Sequence, residues 1–127
     1  MYIKLILLVS LGLIATGLAY PKTACGSGPT HHLILGNRQY GDRMLYTARE
    51  KMPSAMLRVK TLDVQWPLKG MQSHERITRI EVLDQKDKGT GGCAFLANGG
   101  VGDNHVKLHL KTQRGGSFDF VVNIYGR

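Results

Sequence analysis

The feature that most limits what this chain can fold into is period-two alternation between glycine-rich turns. It is clearest from Gly99 to Arg127, GGVGDNHVKLHLKTQRGGSFDFVVNIYGR. Val106, Leu108 and Leu110 alternate with His105, Lys107, His109 and Lys111, the pattern of a half-buried strand. Gln113-Arg114-Gly115-Gly116-Ser117 supplies a turn, since glycine takes positive φ at no steric cost. A second strand runs from Phe118 to Tyr125, with Phe118, Phe120, Val122 and Ile124 on one face. The stretch is expected to form a β-hairpin.

The rest of the chain repeats the theme. His32–Leu35 reads as a short strand, and Gly36–Asp42 as a turn in which Gly and Asn accept left-handed backbone. In Arg43–Met52, Met44, Tyr46 and Ala48 alternate with Leu45, Thr47 and Arg49. Helix competes there on propensity, and the β-rich surroundings decide for strand. After Pro53, a strand is expected over Ala55–Gln65. Its parity changes between Leu57/Val59 and Leu62/Val64/Trp66, which a bulge near Lys60-Thr61 would reconcile. Arg76–Asp84, with Thr78, Ile80 and Val82 inward, and Gly92–Ala97 complete the set. No amphipathic helix of convincing length is present. The expected fold is all-β, a small antiparallel sandwich or flattened barrel of about six to seven strands over residues 32–127.

Ahead of that domain the chain reads as a targeting segment. Lys4 precedes an apolar run from Leu5 to Leu18, and Gly17 and Ala19 are small residues of the kind a signal peptidase requires. Cleavage is expected after Ala19, because the run falls short of the roughly 20 residues that span a bilayer. No later stretch is long and apolar enough to cross a membrane. Residues 20–31 then form an irregular lead-in, and the mature chain is expected to be secreted. Loss of Lys4 lowers the formal net charge from +8 to +7, so anionic partners are favoured on first encounter. The basic residues are scattered, with no Lys/Arg run of the kind that marks a nucleic-acid patch, and no sequence-specific nucleic-acid binding is expected. No N-x-S/T acceptor is present.

The two cysteines, Cys25 and Cys93, are expected to form one disulfide in an oxidising compartment. A metal pair with histidine lacks any close ligand spacing. Gly89-Thr90-Gly91-Gly92-Cys93-Ala94 fits G-x-G-x-x-A, but the six residues that follow leave no room for the helix on which a pyrophosphate would sit. His105 and His109 are expected to stand roughly 13 Å apart along their strand, too far to share a metal. His31-His32 adds no ligand set, and the histidines are expected to face solvent. Ser27, Ser54, Ser73 and Ser117 lie in loops without a G-x-S-x-G context, and a disulfide removes Cys93 as a nucleophile. Neither an enzyme nor a cofactor is expected.

Two stretches carry a family likeness. One is Gly36-Asn37-Arg38-x-x-Gly41-Asp42. The other is the C-terminal series of Gly-Gly-x-Gly, Lys111-Thr112-Gln113-Arg114-Gly115 and Phe120-x-Val122-x-Ile124-Tyr125-Gly126. Together the chain resembles the multiprotein bridging factor 2 family of insects over most of Leu33–Arg127. The resemblance implies two different roles. The family is named for a coactivator that bridges a DNA-binding factor and the basal transcription machinery without binding DNA itself. Many members, including response-to-pathogen proteins of insect gut, carry signal peptides and are associated with immune or stress responses. The family offers no established catalytic residues.

A signal peptide and a disulfide favour the secreted role, that of a non-enzymatic interaction protein binding other proteins or anionic surfaces. A nuclear or cytoplasmic coactivator and a carrier of a small apolar ligand stand as alternatives. The surface expected to meet a partner is the polar face formed by His105, Lys107, His109, Lys111 and Arg114.

Overall fold

The computed structural model describes residues 25–127. The signal peptide expected over residues 1–19 lies outside them. Seven strands follow in order: β1 (Leu33–Gly36), β2 (Arg43–Met52), β3 (Thr61–Trp66), β4 (Ile77–Asp84), β5 (Cys93–Gly99), β6 (Val106–Lys111) and β7 (Phe118–Gly126). They form a four-stranded sheet, β1-β4-β7-β2, and a three-stranded sheet, β3-β6-β5, with every pairing antiparallel. The sheets do not close into a barrel.

The alternation read from the sequence explains the core. Val106, Leu108 and Leu110 of β6 face inward, as do Phe118, Phe120, Val122 and Ile124 of β7, all almost wholly buried. With Ile80 and Val82 of β4 and Val64 and Trp66 of β3 they make one apolar cluster between the sheets. Each such side chain contributes about 1.5–3 kcal/mol by leaving water. β4 and β7, central in their sheet, and β6, central in the other, carry most of this burial.

Two expectations are corrected. β6 and β7 do not form a hairpin, because they belong to different sheets. Residues 112–117 carry the chain across the core, and their backbone bonds to the segment before β3: Thr112 N–H donates to Lys60 O and Gly115 N–H to Arg58 O, both at 2.8 Å. A hairpin and a crossing present the same inward alternation when both sheets face one core, so the pattern did not distinguish them. The consecutive pair that does share a sheet as neighbours is β5–β6.

The second correction concerns Ala55–Gln65, which is not one bulged strand. Arg58 N–H donates to Ala55 O at 3.0 Å in a turn, Leu57 sits at φ 59°, and regular pairing starts only at Thr61. The parity change marks the end of a loop. Leu57 and Val59 stay outside the core. A bulge does occur in β2, between Met44 and Tyr46, and it turns Leu45 and Tyr46 towards the core while Met44 is exposed.

Candidate interaction surface

The outer face of the three-stranded sheet is fixed by register. Lys107 of β6 lies opposite Gln65, His109 opposite Asp63 and Lys111 opposite Thr61. Lys107, His109 and Lys111 therefore share one face, as alternation requires. They do not form an uncompensated row of charge. Asp63 Oδ1 lies 2.6 Å from His109 Nδ1, and Asp63 Oδ2 lies 3.7 Å from Lys107 Nζ. The His109 hydrogen bond, with the His109 and Lys107 charges, holds the Asp63 carboxyl below the usual range against a smaller effect of burial. The Phe95 ring stands 6.0 Å from that of His109 and covers its other side.

The two ends of the proposed face part company. His105 precedes β6 and pairs locally, its Nδ1 3.0 Å from Asn104 Oδ1. Arg114 lies at the far end, in the crossing, where its Nη1 donates to Leu57 O at 2.9 Å. At that end the structure adds two cations that the sequence left in a strand, Arg58 and Lys60. Lys60 N–H donates to Thr112 Oγ1 at 2.9 Å, which sets residues 58–60 beside Lys111 and Arg114. Among the described residues none of these four is in a salt bridge. The basic surface is therefore the Arg58/Lys60/Lys111/Arg114 end of the sheet. The Lys107/His109 middle is held by Asp63. No signal in the local sequence joins residues 58–60 to 111–114, because the link is the pairing of β3 with β6.

Leu57 also carries strain. A bulky residue in the left-handed region costs about 1–2 kcal/mol relative to one that tolerates it. Leu57→Asn is thus expected to raise stability by about 1 kcal/mol, read from the urea midpoint at unchanged slope.

The disulfide joins Cys25 to Cys93, whose Cα atoms are 4.8 Å apart, and among the described residues no cysteine is free. Beside it lies a polar cluster in which His31, alone among the five histidines, departs from the expectation that they face solvent. His31 is only 4% exposed. Its backbone N–H donates to Asp84 Oδ2 at 3.0 Å, and its Nδ1 lies 3.0 Å from Gly92 O, so Nδ1 carries the proton. His32 Nδ1 accepts from Asp84 N–H at 2.9 Å. Among the described residues no group of three His, Cys, Asp or Glu is placed to hold a metal.

The sequence model of the family described as transcription activator MBF2 matches residues 35–126. The chain belongs to the MBF2 family. It is similar to a protein of Bombus ignitus named "Probable salivary secreted peptide", 38% identical over 104 residues, covering 82% of this chain and 75% of that protein. No solved structure matches.

In this MBF2 chain the two stretches that carry the family likeness are pinned to each other. Arg38 Cζ stands 4.2 Å over the Tyr125 ring. Arg127 Nη1 donates to Tyr40 O at 2.7 Å, and its Nη2 to Gln39 Oε1 at 3.1 Å. Gly36 is required because its φ is +75° and a Cβ there would fall 2.1 Å from Thr78 O. Asp42, whose side chain is fully buried, accepts from Gln39 N–H at 2.6 Å and Thr78 Oγ1–H at 2.7 Å. Burial pushes its pKa up, and these hydrogen bonds with the Arg38 and Arg127 charges more than offset it, leaving the carboxyl below its usual range.

The outer face of the four-stranded sheet adds two more depressed carboxyls. Arg49 binds Asp119 through Nε at 2.9 Å and Nη2 at 2.7 Å and lowers its pKa, against a smaller effect of burial. At Glu81 burial is the largest influence and raises the pKa, but hydrogen bonds from Arg79 and Asn123 outweigh it. A carboxyl with a lowered folded pKa contributes stability above its unfolded pKa and loses it as pH falls through the folded value. The unfolded values here are 3.8 for Asp and 4.5 for Glu. Stability is therefore expected to decline once pH drops below those values, with little change on the neutral side. Urea titrations from about pH 6 down to about pH 2.5 check it, and a decline that begins near neutrality would contradict the assignment.

Proposed function

We propose that this MBF2-family chain is exported through the secretory pathway and acts by binding, with no catalytic activity, in an immune or stress setting. The observation that carries the reading is the Cys25–Cys93 disulfide, which belongs to an oxidising compartment. A salivary protein named as secreted at 38% identity supports it, as do the signal-like residues 1–19. The non-enzymatic part is supported by Cys93, the thiol best suited to be a nucleophile, which is held in the disulfide. The His109–Asp63 pair is solvent-accessible, and its other recorded neighbours are Lys107 and Phe95. The binding surface is the basic end of the three-stranded sheet.

The test is expression of the full chain with a C-terminal tag in an insect cell line. The expected product accumulates in the medium, begins at Tyr20 and is lighter by two hydrogens than its reduced form. A chain that keeps Met1 and concentrates in the nucleus would overturn the reading in favour of the transcription activator that the family's description names.

A further inference from the structure

Between β2 and β3 the chain makes the loop Pro53–Lys60, and at its tip Met56 is 88% and Leu57 74% exposed. Large apolar side chains held out of a small domain have lost the burial that would otherwise stabilise it. This pair is also held out against the backbone preference of Leu57, whose φ is 59°. The conformation is fastened from three directions: Arg58 N–H to Ala55 O, Gly115 N–H to Arg58 O, and Arg114 Nη1 to Leu57 O. Strain that the surroundings enforce, at an exposed apolar tip, points to use rather than accident.

The same fastening sets the apolar tip among the four cations. Arg58 follows Leu57 directly, Arg114 touches its carbonyl, and Lys60 and Lys111 flank the neighbouring strand ends. We infer that this end of the molecule docks on a bilayer rich in anionic phospholipid, with Met56 and Leu57 entering the headgroup boundary and Arg58, Lys60, Lys111 and Arg114 pairing with lipid phosphates. The inference deepens the proposed function, since it rests on the basic end of the sheet being the binding surface. Two exposed apolar side chains on a loop that adjoins four cations match the layered chemistry of that boundary, apolar beneath anionic. A protein partner buries about 800 Å² per side, whereas the exposed apolar tip here is only Met56 and Leu57. A soluble polyanion or acidic protein would use the cations and leave Met56 and Leu57 idle.

Each cation near an anionic surface strengthens binding about fivefold, and each apolar side chain that enters contributes about tenfold. The probe is the disulfide-bonded protein, as purified, co-sedimented with vesicles of equimolar phosphatidylglycerol and phosphatidylcholine or of phosphatidylcholine alone. Binding is expected to the anionic vesicles and not to the neutral ones. Arg58→Gln with Lys111→Gln is expected to weaken it about 25-fold. Met56→Ser with Leu57→Asn is expected to weaken it about 100-fold while the fold becomes no less stable. Lys69→Gln, in the loop after the other end of β3, is expected to change nothing.

Failure to bind, equal binding to both vesicles, or binding that ignores Met56 and Leu57 would overturn the inference. The last outcome, with equal affinity for soluble heparin, would assign the surface to a polyanion instead. Vesicle binding and secretion are read separately. A secreted chain that ignores vesicles removes only the lipid inference, and an unsecreted chain that binds them removes only the export reading.

Discussion

Replacing Cys25 and Cys93 together by serine is expected to cost about 4 kcal/mol, and with it about 20 °C in Tm for a domain of this size. The two cysteines are 68 residues apart, so the bond closes a loop that spans β1 to β4. Most of the cost acts through the unfolded chain, which gains the freedom of that loop once the bond is absent. The native state keeps other fastenings for the same segment. Gly89 N–H donates to Pro29 O at 2.9 Å, His31 holds Asp84 and Gly92, and β1 stays paired with β4 from Leu33↔Val82 onward. Amide exchange in the variant is thus expected to leave β1 protected and to release only residues 25–28. Urea unfolding gives the free energy, and a steeper slope would report the more open unfolded chain. A loss under about 1 kcal/mol would mean that the unfolded chain is compact without the bond.

What the sequence revealed, and what it did not, divides along the range of the interactions. The inward residues of β6 and β7 were legible because alternation is local and the two strands hold 6 and 9 residues. The all-β class followed from turn signals between short strands, and the strand pairing decides for two open sheets over a flattened barrel. Partners far apart in the chain left no local trace. His31 is buried because Asp84, 53 residues on, takes its N–H, and Asp63 balances His109 from 46 residues away. Leu57 and Val59 read as core by alternation across an assumed bulge, yet Pro53 and the Ala55–Arg58 turn hold them in a loop. The cations beside Leu57 became one surface only when β3 paired with β6 and the crossing after β6 lay along residues 58–60. The candidate surface was therefore half visible: Lys111 and Arg114 were read from the sequence, while Arg58, Lys60 and the apolar tip emerged from topology.

The glycines that resembled a nucleotide fingerprint illustrate the same point and give the second large prediction. Gly91 and Gly92 lead into β5, with no helix after them. A Cβ on Gly91 would stand 2.5 Å from both carboxylate oxygens of Asp84, and one on Gly92 would meet Lys111 O at 2.3 Å. Neither glycine has positive φ, so the requirement is for space and not for backbone freedom. A flexible carboxylate would step aside cheaply at the surface, but the Asp84 side chain is fully buried and accepts from both His31 N–H and Lys86 N–H at 3.0 Å. Displacing it leaves buried donors unpaired, so Gly91→Ala is expected to cost about 3 kcal/mol. Asp84→Ala removes the same acceptor and is expected to cost about the same. The double variant decides the mechanism. With the carboxylate gone the added methyl has room, so Asp84→Ala/Gly91→Ala is expected to lose about 3 kcal/mol rather than about 6. Urea midpoints of the four proteins close this cycle. Additive losses would show that Gly91 is needed for something other than the Asp84 carboxylate.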